Sequence, residues 1–203
     1  MLLGAVLVSA VFGCIAWLAL KLSAAVCKTI VPFEDGPPPG KPPVAVLVAL
    51  VTVLGFAMAY RGATPEELLL GGFLYAVLVA VWASDVACGI IPDWFTLVPL
   101  IVVTALRVAL RQWEFIAATL LVAFPFAVMA AMSKGRGMGW GDVKLAALGG
   151  AALGTYLAMW TFMLASILAV IVARVRRRSA EPIAFGPYLA GAIGVAFASG
   201  VQL

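Results

Sequence analysis

Apolar residues in this chain run in blocks with hardly a charge inside them, at about 2–25, 44–60, 67–84, 94–110, 114–132, 143–173 and 183–202. A helix needs about 20 apolar residues to cross the roughly 30 Å hydrocarbon core of a bilayer, and only segments that bond their own backbone polar groups persist there. The pattern therefore predicts an all-α polytopic bundle whose Leu, Val and Phe stripes face lipid or neighbouring helices. The links between blocks carry turn chemistry. FEDGPPPGKPP makes a stiff, helix-free first connection. In RGATPEE, Thr64 is placed to cap a helix that starts at Pro65, with Glu67 completing a capping box. RQWE at 111–114 predicts a tight turn with a tryptophan at the membrane interface.

The block 143–173 fits neither one span nor two. Its 31 residues, at about 1.5 Å each, would make a helix of roughly 46 Å, while two full spans need about 20 residues apiece. GGAALGTY at 149–156 offers a break, because each glycine lowers helix propensity by about 1 kcal/mol. Two short segments are expected, 142–153 and 156–173, meeting near Gly154.

Charge supports that division into eight segments. With the N-terminus outside, Lys21, Lys28, Lys41, Lys134, Arg136, Lys144, Arg174, Arg176, Arg177 and Arg178 fall on the cytoplasmic side, and only Arg61, Arg107 and Arg111 outside. A single span over 143–173 would move the RVRRR cluster outside, against the positive-inside tendency. On its own the cluster reads as a topology anchor attracted to anionic lipid.

Composition agrees with a membrane protein: 65% of the residues are hydrophobic and 11% charged, and the mean hydropathy is +1.16. Soluble domains hold about 25% charged residues. The formal net charge of +4 marks loops, so no nucleic-acid partner is expected. There is no histidine, which removes His-based triads, HExxH metal sites and a His general base. Cys14, Cys27 and Cys88 form no CxxC pair and read as small apolar residues. The N-terminal block has no charged region before it and reads as a first span, not as a cleaved signal.

The acids then separate by side. Asp85, Asp93, Asp142, Glu34, Asp35 and Glu181 fall on the cytoplasmic face, and Glu66, Glu67 and Glu114 on the other. Asp93 follows Pro92 and precedes a helix, so its simplest role is an N-cap. Asp142 also opens a helix, but KGRGMGWG before it holds four glycines in eight residues, more than a cap requires. Gly139 and Gly141 are expected to let a substrate strand approach closely, and a side chain at Gly141 would either crowd that strand or block a backbone with φ > 0. Asp85 ends one membrane helix and Asp142 begins another, and acids at membrane depth are functional candidates. Facing carboxylates about 3 Å apart cannot easily both ionise, which suits an aspartic-protease pair sharing one proton. A helix N-terminus would favour the charge on Asp142 and make it the base, by only about 0.3–1 kcal/mol.

Three stretches resemble the type IV prepilin peptidases, membrane aspartic proteases of the GxGD type. MGWGDVKLAALGGAALG at 138–154 is similar to the GxGD segment, with Asp142 in the aspartate position. SDVACGIIPDWFTL at 84–97 resembles the stretch with the other catalytic aspartate, here Asp85, and its following Pro-Asp, here Pro92 and Asp93. IAFGPYLAGA at 183–192 is similar to the Pro-Phe-Gly-Pro segment, with Gly186 and Pro187 kept and Ala184 where proline is usual. The resemblance implies a catalytic region over about 68–200 within one integral membrane domain, 1–203. It implies cleavage of the leader from prepilin or pseudopilin substrates at the cytoplasmic side of a prokaryotic inner membrane. Catalytic roles go to Asp85 and Asp142, and supporting roles to Pro92, Asp93, Lys144, Gly186 and Pro187. Members that also methylate the product with S-adenosylmethionine carry paired CxxC motifs between the first two spans. The corresponding loop here, 26–43, is short, Pro/Gly-rich and without such a pair, so neither methylation nor a metal is expected. Two other classes remain open: a transferase holding Mg²⁺ on Asp85, Asp93 and Asp142, and an ion or solute transporter with the acids along its pathway.

Overall fold

A computed structural model describes residues 2–29, 40–132, 138–175 and 184–200, and these form eight α-helices with one 3-10 turn. They are α1 (Leu2–Cys27), α2 (Val44–Tyr60), α3 (Pro65–Cys88), α4 (Leu97–Ala109), α5 (Trp113–Met132), α6 (Trp140–Leu153), α7 (Thr155–Val175) and α8 (Gly186–Ala198), with the 3-10 turn at Asp93–Phe95 between α3 and α4. Most of the proline link, the KGRG half of the glycine loop, the arginines at 176–178, Glu34, Asp35 and Glu181 lie outside the described residues. The chain is an all-α membrane bundle. Helices α1, α3, α5 and α7 are long and apolar enough to cross a bilayer. The others have 17, 13, 14 and 13 residues, and 13 or 14 residues reach only about 20 Å.

The start of α3 follows its sequence closely. Glu67 donates its backbone N–H to Thr64 Oγ1 at 3.2 Å, and its carboxylate accepts the Thr64 N–H at 3.1 Å. The same carboxylate lies 3.4 Å from Arg61 at the end of α2. The long block divides at Gly154, whose φ of +75° and ψ of 171° end α6. That conformation is essentially glycine's alone. Gly149 and Gly150 are no part of the break. They lie inside α6, where a Cβ on Gly150 would come 2.7 Å from the Ala118 carbonyl oxygen of α5.

Helices α3, α6 and α8 form the interior. Leu74, Val81, Leu145, Leu148, Leu189 and Ile193 are fully buried. Helix α8 packs against α3, α6 and α7, while α5 and α4 cover α6, and α1 and α2 cover α3. Without water to drive helices together, contact in lipid depends on van der Waals fit, which small residues permit. LAALGGAAL in α6 is such a sequence, and all nine residues are buried. Tyr75 ties α3 to α8 by donating its hydroxyl to the Gly194 carbonyl at 2.8 Å. The outer helices leave Leu121, Phe124, Trp160 and Ile171 exposed, as a lipid-facing surface requires.

Arg107 departs from expectation. Its charge reads as external, yet the side chain is fully buried. Nε and Nη2 donate to the carbonyls of Ala151 and Ala152 at 3.0 and 2.9 Å, and Nη1 donates to Gln112 Oε1 at 2.6 Å. The guanidinium also stacks 3.7 Å above the Phe115 ring. A helix leaves its last carbonyls without intrahelical donors and carries partial negative charge there. Arg107 satisfies both needs at the end of α6.

Candidate active site

Asp85 and Asp142 are 57 positions apart, and the fold brings them to one end of the bundle. Asp85 lies in the last turn of α3, 7% exposed, and Asp142 in the first turn of α6, 9% exposed. Each carboxylate accepts one backbone N–H through its Oδ2. Asp85 accepts from Gly186 at 3.0 Å, and Asp142 from Gly139 at 3.3 Å. Gly139 is the residue on which α6 starts, so one oxygen of Asp142 does the work of a cap.

Gly186 is the first residue of α8, where backbone N–H groups have no intrahelical acceptor. Asp85 therefore ends its own helix but faces the N-terminus of another. This removes the asymmetry expected from the sequence, because each acid now has a positive helix end beside it.

Ile91 lies against the first turns of both α6 and α8. A Cβ on Gly141 would fall 2.9 Å from Ile91 Cβ and 3.4 Å from its Cδ1. A Cβ on Gly186 would fall 3.0 Å from the same Cδ1 and 2.7 Å from Asp85 Oδ2. Thus Gly141 is a contact for Ile91, within helix α6 and without a positive φ. The expectation of a left-handed backbone at Gly141 is overturned: a helical residue in the first turn has ordinary negative φ. Among the described residues, a notional Cβ on Gly139, with φ −79°, meets only Asp142 and the Gly141 backbone within 4 Å. Close approach remains open there. Trp140 is half exposed.

Asp93 is not an N-cap. It begins the 3-10 turn, and no side chain caps α4. Its carboxylate instead meets Lys144 Nζ of α6 at 2.5 Å, joining two residues that the sequence had singled out separately. Pro92 is buried and starts the turn. Beside the site lies an apolar groove of about 1020 Å³ between α3, α7 and α8, lined by Trp82, Leu157, Trp160 and Tyr188. Neither acid lines it, but Val86 and Pro187, the chain neighbours of Asp85 and Gly186, do. Sequence reasoning missed Ile91, an apolar residue among many, and Arg107. It also missed the α8 terminus as a donor, although Gly186 itself had been singled out.

A helical membrane protein with two buried carboxylates at one end of its inner helices is the class so defined. The profile of the type IV leader peptidase family matches residues 72–174, just over half of the chain and inclusive of both acids. The chain belongs to the type IV leader peptidase family, and is a peptidase. Among curated proteins and among solved structures, nothing matches.

Proposed function

We propose that the chain is an aspartic endopeptidase that removes the leader from prepilin-like or pseudopilin substrates at the cytoplasmic face of a prokaryotic inner membrane, with Asp85 and Asp142 as its catalytic pair. The observation that supports this reading is that two buried acids of different inner helices lie at one end of the bundle, where Ile91 packs against both Gly141, the neighbour of Asp142, and Gly186, the donor to Asp85. Two carboxyl groups held together out of water retain one proton between them. The ionised member takes a proton from water as the oxygen attacks the scissile carbonyl carbon. The protonated member donates to the carbonyl oxygen, and the tetrahedral adduct collapses as the leaving nitrogen takes a proton. Helix N-termini stand behind both acids, so either can begin as the base. Gly139, which no described side chain but Asp142 crowds, is where an extended substrate backbone would approach. The groove next to Asp85 is apolar enough to receive an apolar segment that continues past the cleavage site.

This reading needs neither metal nor S-adenosylmethionine. A Mg²⁺ transferase would need Asp93 turned toward the other two acids, whereas its carboxylate is paired with Lys144. Incubation of the purified chain in detergent with a leader-bearing prepilin tests the proposal. Wild type should release the leader, and Asp85→Asn and Asp142→Asn should each abolish release while eluting as folded protein. Loss of activity in EDTA with recovery in Mg²⁺ would transfer the reading to metal chemistry. Full activity of either Asn variant would remove that residue from the pair.

A further inference from the structure

Cys27 and Cys88 look unrelated in the sequence, yet they end neighbouring helices with their sulfurs in contact. The Sγ atoms are 2.7 Å apart, within ~0.7 Å of the ~2.05 Å covalent separation, and both residues are thiols. Cys88 is buried and also donates to the Ser84 carbonyl, whereas Cys27 is partly accessible. Cys88 is the last residue of α3, three positions after Asp85 and three before Ile91. Any bond made here fixes the end of α1 to the chain that carries both.

We propose that Cys27 and Cys88 are a disulfide-forming pair whose co-reactant is a small disulfide. The more accessible Cys27, as thiolate, attacks one sulfur of the reagent, forming a mixed disulfide and expelling one thiolate. The Cys88 thiolate then attacks the Cys27 sulfur and expels the second. The two protein thiols lose two electrons and two protons, and the reagent gains them as two thiols. In a reducing compartment the pair rests as thiols, and exchange with a dithiol reverses the bond. Cys14 is excluded as partner to Cys27, since thirteen residues of the same helix separate them by about 20 Å. None of this depends on the peptidase reading.

The test uses Cys14→Ser chain, folded in detergent and treated with oxidised glutathione, then unfolded and alkylated with a maleimide. The expected product is a monomer lighter by two hydrogens with no alkylated thiol, restored to two by dithiothreitol. The same chain unfolded before oxidation should close more slowly, because the fold no longer holds the sulfurs together across 61 positions. Cys14→Ser/Cys27→Ser and Cys14→Ser/Cys88→Ser should stop at a free thiol or a mixed disulfide. Oxidation should raise the thermal midpoint of Cys14→Ser alone. Persistence of both thiols, accumulation of mixed disulfides, or dimers linked between chains in the folded Cys14→Ser protein would overturn the proposal.

Discussion

Ile91 sets the spacing at the acid end through contacts that leave no room for a further carbon. Gly141→Val would force its Cβ against Ile91, and Gly186→Ala would place a methyl against the carboxylate of Asp85. Overpacking of this kind displaces neighbours by amounts that cost about 1–3 kcal/mol. Cleavage should therefore fall by about tenfold or more for each variant, the effect of about 1.4 kcal/mol on the barrier. Initial rates at equal amounts of folded enzyme measure this, and a near-wild-type Gly186→Ala would show that Asp85 tolerates displacement. Asp93→Asn should be mild. The Asp93 carboxylate is 62% exposed in its pair with Lys144, and such pairs contribute about 0.2–1 kcal/mol. A rate within about fivefold of wild type is expected, and complete loss would place Asp93 in the chemistry. At this scale the acids were legible because charge in an apolar chain has few innocent explanations. Ile91 was not, since its meaning lies in what it touches, and neither was the Asp93–Lys144 pair, formed across 51 positions.

Helix α6 is held at both ends by groups from other elements. Near its N-terminus Gly141 meets Ile91 and Lys144 pairs with Asp93, and its C-terminal carbonyls are gripped by Arg107 of α4. Movement of α6 along its axis would carry Asp142 with it, so the grip acts on the site from the far end of the bundle. Arg107→Lys keeps the charge but loses the fork that reaches two carbonyls at once. Loss of one charge-assisted bond should destabilise the protein by about 1.5–3 kcal/mol, seen as a lower midpoint of thermal unfolding in detergent. An unchanged midpoint would mean that the grip contributes nothing. The element boundaries themselves were largely readable. Gly154 could be found because the block around it has the wrong length for either one span or two. Gly149 and Gly150 could not be assigned from sequence, because a helix-weakening residue and a close-packing residue are the same residue. Arg107 misled for a similar reason: a cation near a helix end satisfies the rule for an outer loop equally well when it is turned inward.

The three motifs that suggested a peptidase each include part of one of the three inner helices, and the other described helices pack around them. Such an arrangement serves proteolysis only if all three present their chemical ends to the same side. The bundle brings the ends of α3, α6 and α8 together, and the sequence topology, with ten basic residues on that side against three on the other, supports the proposal that it is cytoplasmic. The break at Gly154, which ends α6 before α7 begins, is what the proposed return of the chain to that side requires. The orientation can be measured directly. In a chain with Cys14, Cys27 and Cys88 changed to Ser, single cysteines at Ser179, Ala63 and Gln112 should be probed with an impermeant maleimide on intact cells. Ser179 should stay unlabelled until the membrane is opened, while Ala63 and Gln112 should label from outside. Labelling of Ser179 from outside, with the other two protected, would invert the protein and place the acids where a cytoplasmic leader could not reach them. Labelling of all three from outside would contradict the reversal at Gly154, and with it the shared face on which the proposed chemistry depends.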